Sequence, residues 1–287
     1  MNDNFFTLDQ GVSETIGNPL DIGGALRLPF TVLEMWWKNG TGTGADPVTK
    51  FGGWAINAEV YDQWMTEFDD LPAAISGPHE WASGTDMSKT YMAYAVRSLW
   101  VAPIARRSAW FLKQGGDKNN KKDWKSSVEY LCYAANYNKQ DNAMIALGPV
   151  VLKAKSNNGI ALDEAFQAYR NATAKGRKEL ANNIPAHFFY QCIGTFGPKI
   201  ITKKVGPQGN QKDITYATAF LPDEITVDNL RLTFVGGTIS AIMADLKNQA
   251  AEWIADWNKR SKKSNERETT EVPEPEIPAT DEEEFPF

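Results

Sequence analysis

Between residues 97 and 137 cations and flat rings are closely interleaved: Arg97, Trp100, Arg106, Arg107, Trp110, Phe111, Lys113, Lys121, Lys122, Trp124, Lys125, Tyr130, Tyr133 and Tyr137. Ammonium and guanidinium groups track phosphates, and aromatic faces stack unpaired bases at about 1–3 kcal/mol each, so this mixture suits the binding of a single nucleic-acid strand without regard to its sequence. Lys153 and Lys155 extend the cationic set. Residues 114–122 read as an exposed loop flanked by Trp110, Phe111 and Trp124, which are therefore stacking candidates, whereas Trp100, Tyr130 and Tyr133 suit a strand core equally well. Trp36 and Trp37 are a further candidate, because neighbouring strand residues point to opposite faces and only one of the two can enter a given core.

The charge distribution supports this reading. The net charge is −6, yet residues 264–287 hold nine acids and one base, so the rest of the chain is slightly positive. Residues 1–96 carry 4 bases and 13 acids, while residues 97–155 carry 11 bases and 4 acids. A basic middle region attracts a polyanion whatever the sign of the whole chain, because screening acts over about 8 Å at physiological salt.

Other chemistries lack their residues. Two cysteines, Cys132 and Cys192, stand in apolar surroundings and read as reduced core thiols, and there are only two histidines, His79 and His187. No CxxC, HExxH, Walker or Gly-x-Ser-x-Gly pattern occurs, so no catalytic residue, metal ligand or cofactor is assigned. The glycine run at residues 39–44 lacks the Gly-Lys-Ser/Thr ending of a phosphate loop and reads as a flexible connection. Asp62, Glu67, Asp69 and Asp70 are the closest carboxylate grouping a metal-dependent nuclease could use, and they read more simply as a solvated face. No apolar run approaches the ~18 residues of a membrane span, and the N-terminus carries no secretory pattern, so a cytoplasmic protein is expected.

The elements that must hold these residues are mainly strands. Runs at 26–37, 51–56, 90–100, 104–112, 128–137, 150–155, 187–196, 200–205, 214–220 and 230–235 are rich in β-branched and aromatic residues. Residues 199–220 read as a hairpin whose tip is flanked by Lys203, Lys204 and Lys212. Helical periodicity marks 57–68, 160–180 and a C-terminal helix at about 238–260, whose stripe of Ile239, Ile242, Met243, Leu246, Ala250, Trp253, Ile254 and Trp257 predicts packing on the sheet or a subunit interface, leaving a homo-oligomer open.

After Lys263 prolines and glutamates replace large apolar residues, which predicts a disordered linker. It ends in Asp281-Glu282-Glu283-Glu284-Phe285-Pro286-Phe287, a peptide whose rings and α-carboxylate suit an apolar pocket with a basic rim. This tip resembles that of bacterial single-stranded DNA-binding proteins and their bacteriophage counterparts, which end in an acidic run and aromatic residues behind a disordered linker. Phe285 stands where the family usually has an aliphatic residue, and the likeness covers residues 264–287 only.

The resemblance implies that residues 281–287 recruit replication or repair proteins, that the acids compete for the chain's own DNA groove, and that the body is an OB-type β-barrel. The expected architecture is thus a mainly β, α+β body over residues 1–263, an elaborated OB-like barrel with a few helices, followed by an acidic tail at 264–287. The expected function is non-enzymatic single-stranded DNA binding, in a bacterial host cell if the protein is phage-encoded. A phage structural or interaction protein, a single-strand annealing protein and a metal-dependent nuclease are the alternatives.

Overall fold

The computed structural model describes residues 28–30, 32–40, 52–65, 75–82, 90–112, 117, 119–120, 124–155, 157–180, 184–194, 201–205, 210–214, 216–222 and 224–255. The chain forms a mixed α/β structure dominated by one large sheet. Its elements are β1 (Leu33–Asn39), β2 (Gly52–Asn57), α1 (Ala58–Met65), β3 (Ile75–Ala82), β4 (Thr90–Val96), β5 (Ser98–Leu112), β6 (Trp124–Asn138), β7 (Ala143–Lys155), α2 (Asn157–Ala172) and α3 (Ala174–Leu180). After a 3₁₀ turn (Ala186–Phe188) come β8 (Gln191–Gly194), β9 (Ile201–Val205), β10 (Asn210–Ile214), β11 (Thr218–Ala219), α4 (Val227–Thr233) and α5 (Gly236–Gln249). The nine-stranded sheet has the order β11-β8-β5-β6-β7-β1-β2-β4-β3, with β9 and β10 apart as a two-stranded ribbon.

β4 and β5 are one strand bent at Arg97. Before the bend it pairs with β2, through Trp54 opposite Val96; beyond it, β5 pairs with β6 from Trp100 to Leu112. β6 pairs with β7, β7 runs parallel to β1, and β1 pairs with β2. The series of ladders therefore returns to the strand from which it starts. Val96, Leu99, Val101, Tyr130, Cys132, Leu152, Met35, Trp37, Trp54 and Ile56 form one inner core, to which α1 adds Tyr61 and α2 adds Leu162 and Phe166. Each large side chain in it contributes about 1.5–3 kcal/mol relative to exposure. The Trp54 indole nitrogen crosses this interior to donate to the Ile193 carbonyl at 3.2 Å.

A second core lies on the outer face, where Met243, Leu246, Ala250 and Trp253 cover Ala102, Ile104, Leu131, Tyr133 and Val151. The apolar stripe of the C-terminal helix is thus explained by packing on the sheet. A satellite core joins Tyr169, Phe189 and Leu230 under α3 and α4.

The observed elements differ from the expected ones in definite ways. The helix read over 160–180 starts at Asn157 and divides at Thr173, a fully buried residue whose hydroxyl donates to the Tyr169 carbonyl at 2.9 Å, a back-bond that disturbs helices. Residues 230–235, read as a strand, are mostly the end of α4; the Thr226–Asn229 capping box that starts this helix outweighs its β-branched composition. β3 was not foreseen. The C-terminal helix is described to residue 255, with a turn at Ala250. The acidic tail at 264–287 lies outside the described residues, as does Trp257.

Two glycines permit the bend. A Cβ on Gly53 would lie 2.4 Å from the Val96 carbonyl oxygen, and one on Gly194 would lie 2.1 Å from that of Arg97 and 2.5 Å from the Ser98 Cα. β2 and β8 thus approach the bent strand closely on either side of Arg97, where only glycine fits. Gly194→Ala should lower stability by about 1–3 kcal/mol or more, read as a fall in urea midpoint with the slope unchanged.

Candidate nucleic-acid interface

Alternation along β5 decides where the two central arginines go. A bulge between Pro103 and Ala105 shifts the register, so that Arg106 sits opposite Tyr130 on the inner side and Arg107 opposite Glu129 on the outer side. Arg106 forms a bidentate pair with Asp163 of α2 at 2.8 and 2.5 Å, and the Tyr130 hydroxyl donates to the same carboxylate at 2.5 Å. Hydrogen bonding to Asp163 raises the Arg106 pKa above its ordinary value despite burial. The Arg106 side chain remains 43% exposed.

Arg107 is buried. Its guanidinium meets Glu129 at 2.6 and 2.8 Å, donates to the Trp253 carbonyl at 3.2 Å and lies 3.7 Å over the Trp253 ring. It is a structural cation that pins the C-terminal helix to the sheet, which corrects its assignment as a phosphate contact. Beside it, Lys153 pairs with Glu34 at 2.7 Å and reaches Glu129 at 3.9 Å. An ionic row therefore crosses β5, β6, β7 and β1 on the outer face. Lys155 stands two positions along β7, and Lys38 two positions along β1 from Trp36, which is opposite Lys153. Burial first, and the Lys155 charge second, lower the Lys38 pKa to about 8. Burial also lowers that of Lys155, where Lys153 adds to the effect and Glu129 opposes it. Among the described residues the patch thus brings Arg107, Lys153, Lys155 and Lys38 together with Glu129 and Glu34. Lys38 was not among the residues singled out by sequence; its place opposite β7 comes only from the parallel β1–β7 pairing.

Both Trp36 and Trp37 are buried, at 5% and 6% exposure. Trp37 packs edge-on to Trp54 in the inner core, while Trp36 packs with Ala55, Ala93 and Ala95 on the outer side. Neither presents a ring to a base, because the sheet is covered on both faces at β1. Tyr130 and Tyr133 are core residues, the former stacked on Phe166 at 4.2 Å, and Trp100 is partly buried beside Tyr137. Arg97 occupies the strand bend.

The β5–β6 ladder outlasts the sheet. Its last neighbour on β7 is Lys155, opposite Ser127; beyond it the pairs Trp110–Ser126, Phe111–Lys125 and Leu112–Trp124 continue as a two-stranded ribbon. The connection, 113–123, holds Lys113, Lys118, Lys121 and Lys122 against Asp117 and Asp123; Lys113, Lys121 and Lys122 lie outside the described residues. β9 and β10 form a second ribbon, with Lys203 opposite Lys212 in its ladder. The tip residues Asp281, Glu282, Glu283, Glu284, Phe285, Pro286 and Phe287 lie outside the described residues. Among the described residues no helix is long and apolar enough to cross a membrane.

Comparison with protein-family models, with curated proteins and with solved structures finds no match to this chain.

Three outcomes follow from this geometry. Arg107→Ala should cost about 3 kcal/mol because Glu129 is left buried with only Lys153, 3.9 Å away, in place of a hydrogen-bonded guanidinium, whereas Arg106→Ala should cost under about 1 kcal/mol; paired urea titrations read both. Because the folded chain holds the Lys38 proton less tightly than the unfolded chain, stability should gain from this residue as pH rises from about 8 to about 10. Comparing denaturation midpoints of Lys38→Met and the parent across that range isolates the gain. Burial pushes the Cys192 thiol up to about 12 and that of Cys132 upward as well, so neither should react with a thiol reagent at pH 8 until the chain is unfolded.

Proposed function

We propose that the chain is a sequence-independent, non-enzymatic binder of single-stranded DNA that serves replication, recombination or repair and recruits partner proteins through residues 281–287. The observation that carries the reading is the basic ribbon that β5 and β6 extend past the sheet, next to the outer patch of Lys38, Lys153 and Lys155. A two-stranded arm with lysines in its connection and Trp110, Phe111 and Trp124 in its ladder supplies both ingredients of strand binding, cations and flat rings.

We read the ring β4–β5, β6, β7, β1 and β2 as an OB-type barrel. In such barrels oligonucleotides lie on the second and third strands and on the loop joining the first two. With the bent β4–β5 strand counted first, β6 and β7 take the second and third places, and the connection 113–123 is that loop. The outer patch and the ribbon then belong to one binding surface. Phosphate contacts come from Lys113, Lys121, Lys122, Lys125 and Lys155, with Lys153 held instead by Glu34, and stacking comes from Trp110, Phe111 and Trp124. Residues 264–287, with their surplus of acids, reach this surface as an intramolecular competitor.

Fluorescence anisotropy with labelled oligo(dT) tests the proposal. If Lys113, Lys121, Lys122, Lys125 and Lys155 each neutralise one phosphate, the plot of log affinity against log salt has a slope of about −3.5. The double substitution Lys121→Glu with Lys122→Glu should weaken binding about tenfold and make that slope shallower by about 1.4. A duplex of equal length should bind less tightly. Removing 264–287 should raise affinity, most at low salt. An affinity indifferent to salt and to the double substitution would overturn the reading.

A further inference from the structure

A cavity of about 300 Å³ lies where α2, α3, the 3₁₀ turn and β8 meet. Its walls are the buried rings of Phe166 and Tyr169 and the ring of Pro103; its rim is Arg170, Arg177 and His187, and among the described residues no carboxylate lines it. In a chain with more acids than bases, three basic groups around one opening, with no acid among the described residues that line it, form an anion site in waiting.

The polar groups are held in place before any ligand arrives. The Arg177 guanidinium donates to the Ile184 carbonyl at 3.4 Å and to the Arg170 carbonyl at 3.1 Å, which fixes its plane, while its buried Nε has no hydrogen-bond partner among the described residues. On the floor, Gln191 is 3% exposed, and its amide oxygen likewise lacks a partner. A buried acceptor and a buried donor left open on two residues that line one cavity are each costly unless a ligand or ordered water meets them. Burial and then the charge of Arg170 lower the Arg177 pKa, and burial, Lys247 and Arg170 lower that of His187, so the two arginines carry the rim's positive charge and His187 stands beside them as a neutral imidazole able to donate.

We propose that this cavity binds a nucleoside monophosphate unit, with the phosphate on Arg170, Arg177 and His187, the base against Phe166 and Tyr169, and a base N–H donated to the Gln191 amide oxygen. The space and the two rings suit a flat heterocycle rather than an inorganic anion, since pockets of this size bury small organic ligands. The acceptor on the floor demands a ligand that also carries an N–H, which each of the common bases provides. The unit is either a free nucleotide or the 5′-phosphorylated end of a strand. The site does not depend on the ribbon, and its test is separate from that of strand affinity.

The two histidines provide the readout, because only two imidazole signals exist in the chain. His187 is on the rim, and His79 lies on β3 at the far end of the sheet order. Titrating the full chain with dTMP, and following both imidazoles by NMR, should shift His187 and leave His79 unmoved. Thymidine and inorganic phosphate should each bind at least tenfold more weakly than dTMP. Arg170→Glu, at an exposed helix position, should weaken dTMP at least tenfold with an unchanged far-UV spectrum, and His187→Ala should weaken it less. A 5′-phosphorylated oligo(dT) that shifts His187, where its 5′-hydroxyl counterpart does not, assigns the site to strand ends; dTMP acting where neither oligonucleotide does assigns it to free nucleotide. The proposal is overturned if dTMP leaves His187 unmoved, if phosphate alone binds as well as dTMP, or if folded Arg170→Glu binds dTMP unchanged.

Discussion

The structure depends on one strand hydrogen-bonding along both of its edges on either side of a bend. At Arg97 the chain turns, so that β2 and β8 follow one another along one edge while β3 and β6 follow along the other. Without that bend the nine strands would be a flat succession with two remote ends. With it, the inner faces of β4–β5, β6, β7, β1 and β2 enclose a single core, and Trp54 can reach the Ile193 carbonyl. The glycines at 53 and 194 are the steric condition for this arrangement, since a methyl group at either position would lie inside the contact distance of the bent backbone.

Electrostatics are arranged around the same scaffold. The basic segment seen along the chain is not a uniform field: Arg107 is committed to Glu129 and Trp253, Lys153 to Glu34, and Arg106 to Asp163. Formal charge therefore overstates what a polyanion meets. Burying Arg107 and Glu129 together tolerates two charges in the interior because each meets the other, and the guanidinium also finds a carbonyl and a ring.

How much of this could be read beforehand depended on whether the information was local. Most strands and the three longer helices were legible, because composition and periodicity are properties of neighbouring residues. The stripe from Ile239 to Ile254 named its own buried face. Tertiary placement was not legible. Strand alternation correctly sends Trp36 and Trp37 to opposite sides, yet it cannot tell that both are buried, Trp37 against Trp54 and Trp36 among Ala55, Ala93 and Ala95. The divergence of Arg106 and Arg107 follows from the same alternation, but their partners Asp163 and Trp253 lie 57 and 146 residues away. α4 was missed because Leu230 to Val235 has strand-like composition, while the signal that decides it, the Thr226–Asn229 box, is a hydrogen-bond pattern at a single turn.

The parallel pairing of β1 with β7 has a consequence for how the chain is made. Leu33 must find Val150, a partner synthesised more than a hundred residues later. During translation the β1–β2 hairpin, with Trp36, Trp37 and Trp54, emerges with one flank lacking its permanent neighbour, and ladders of such long sequence separation form slowly. The interval between its emergence and the arrival of β7 is when this chain is most exposed to aggregation.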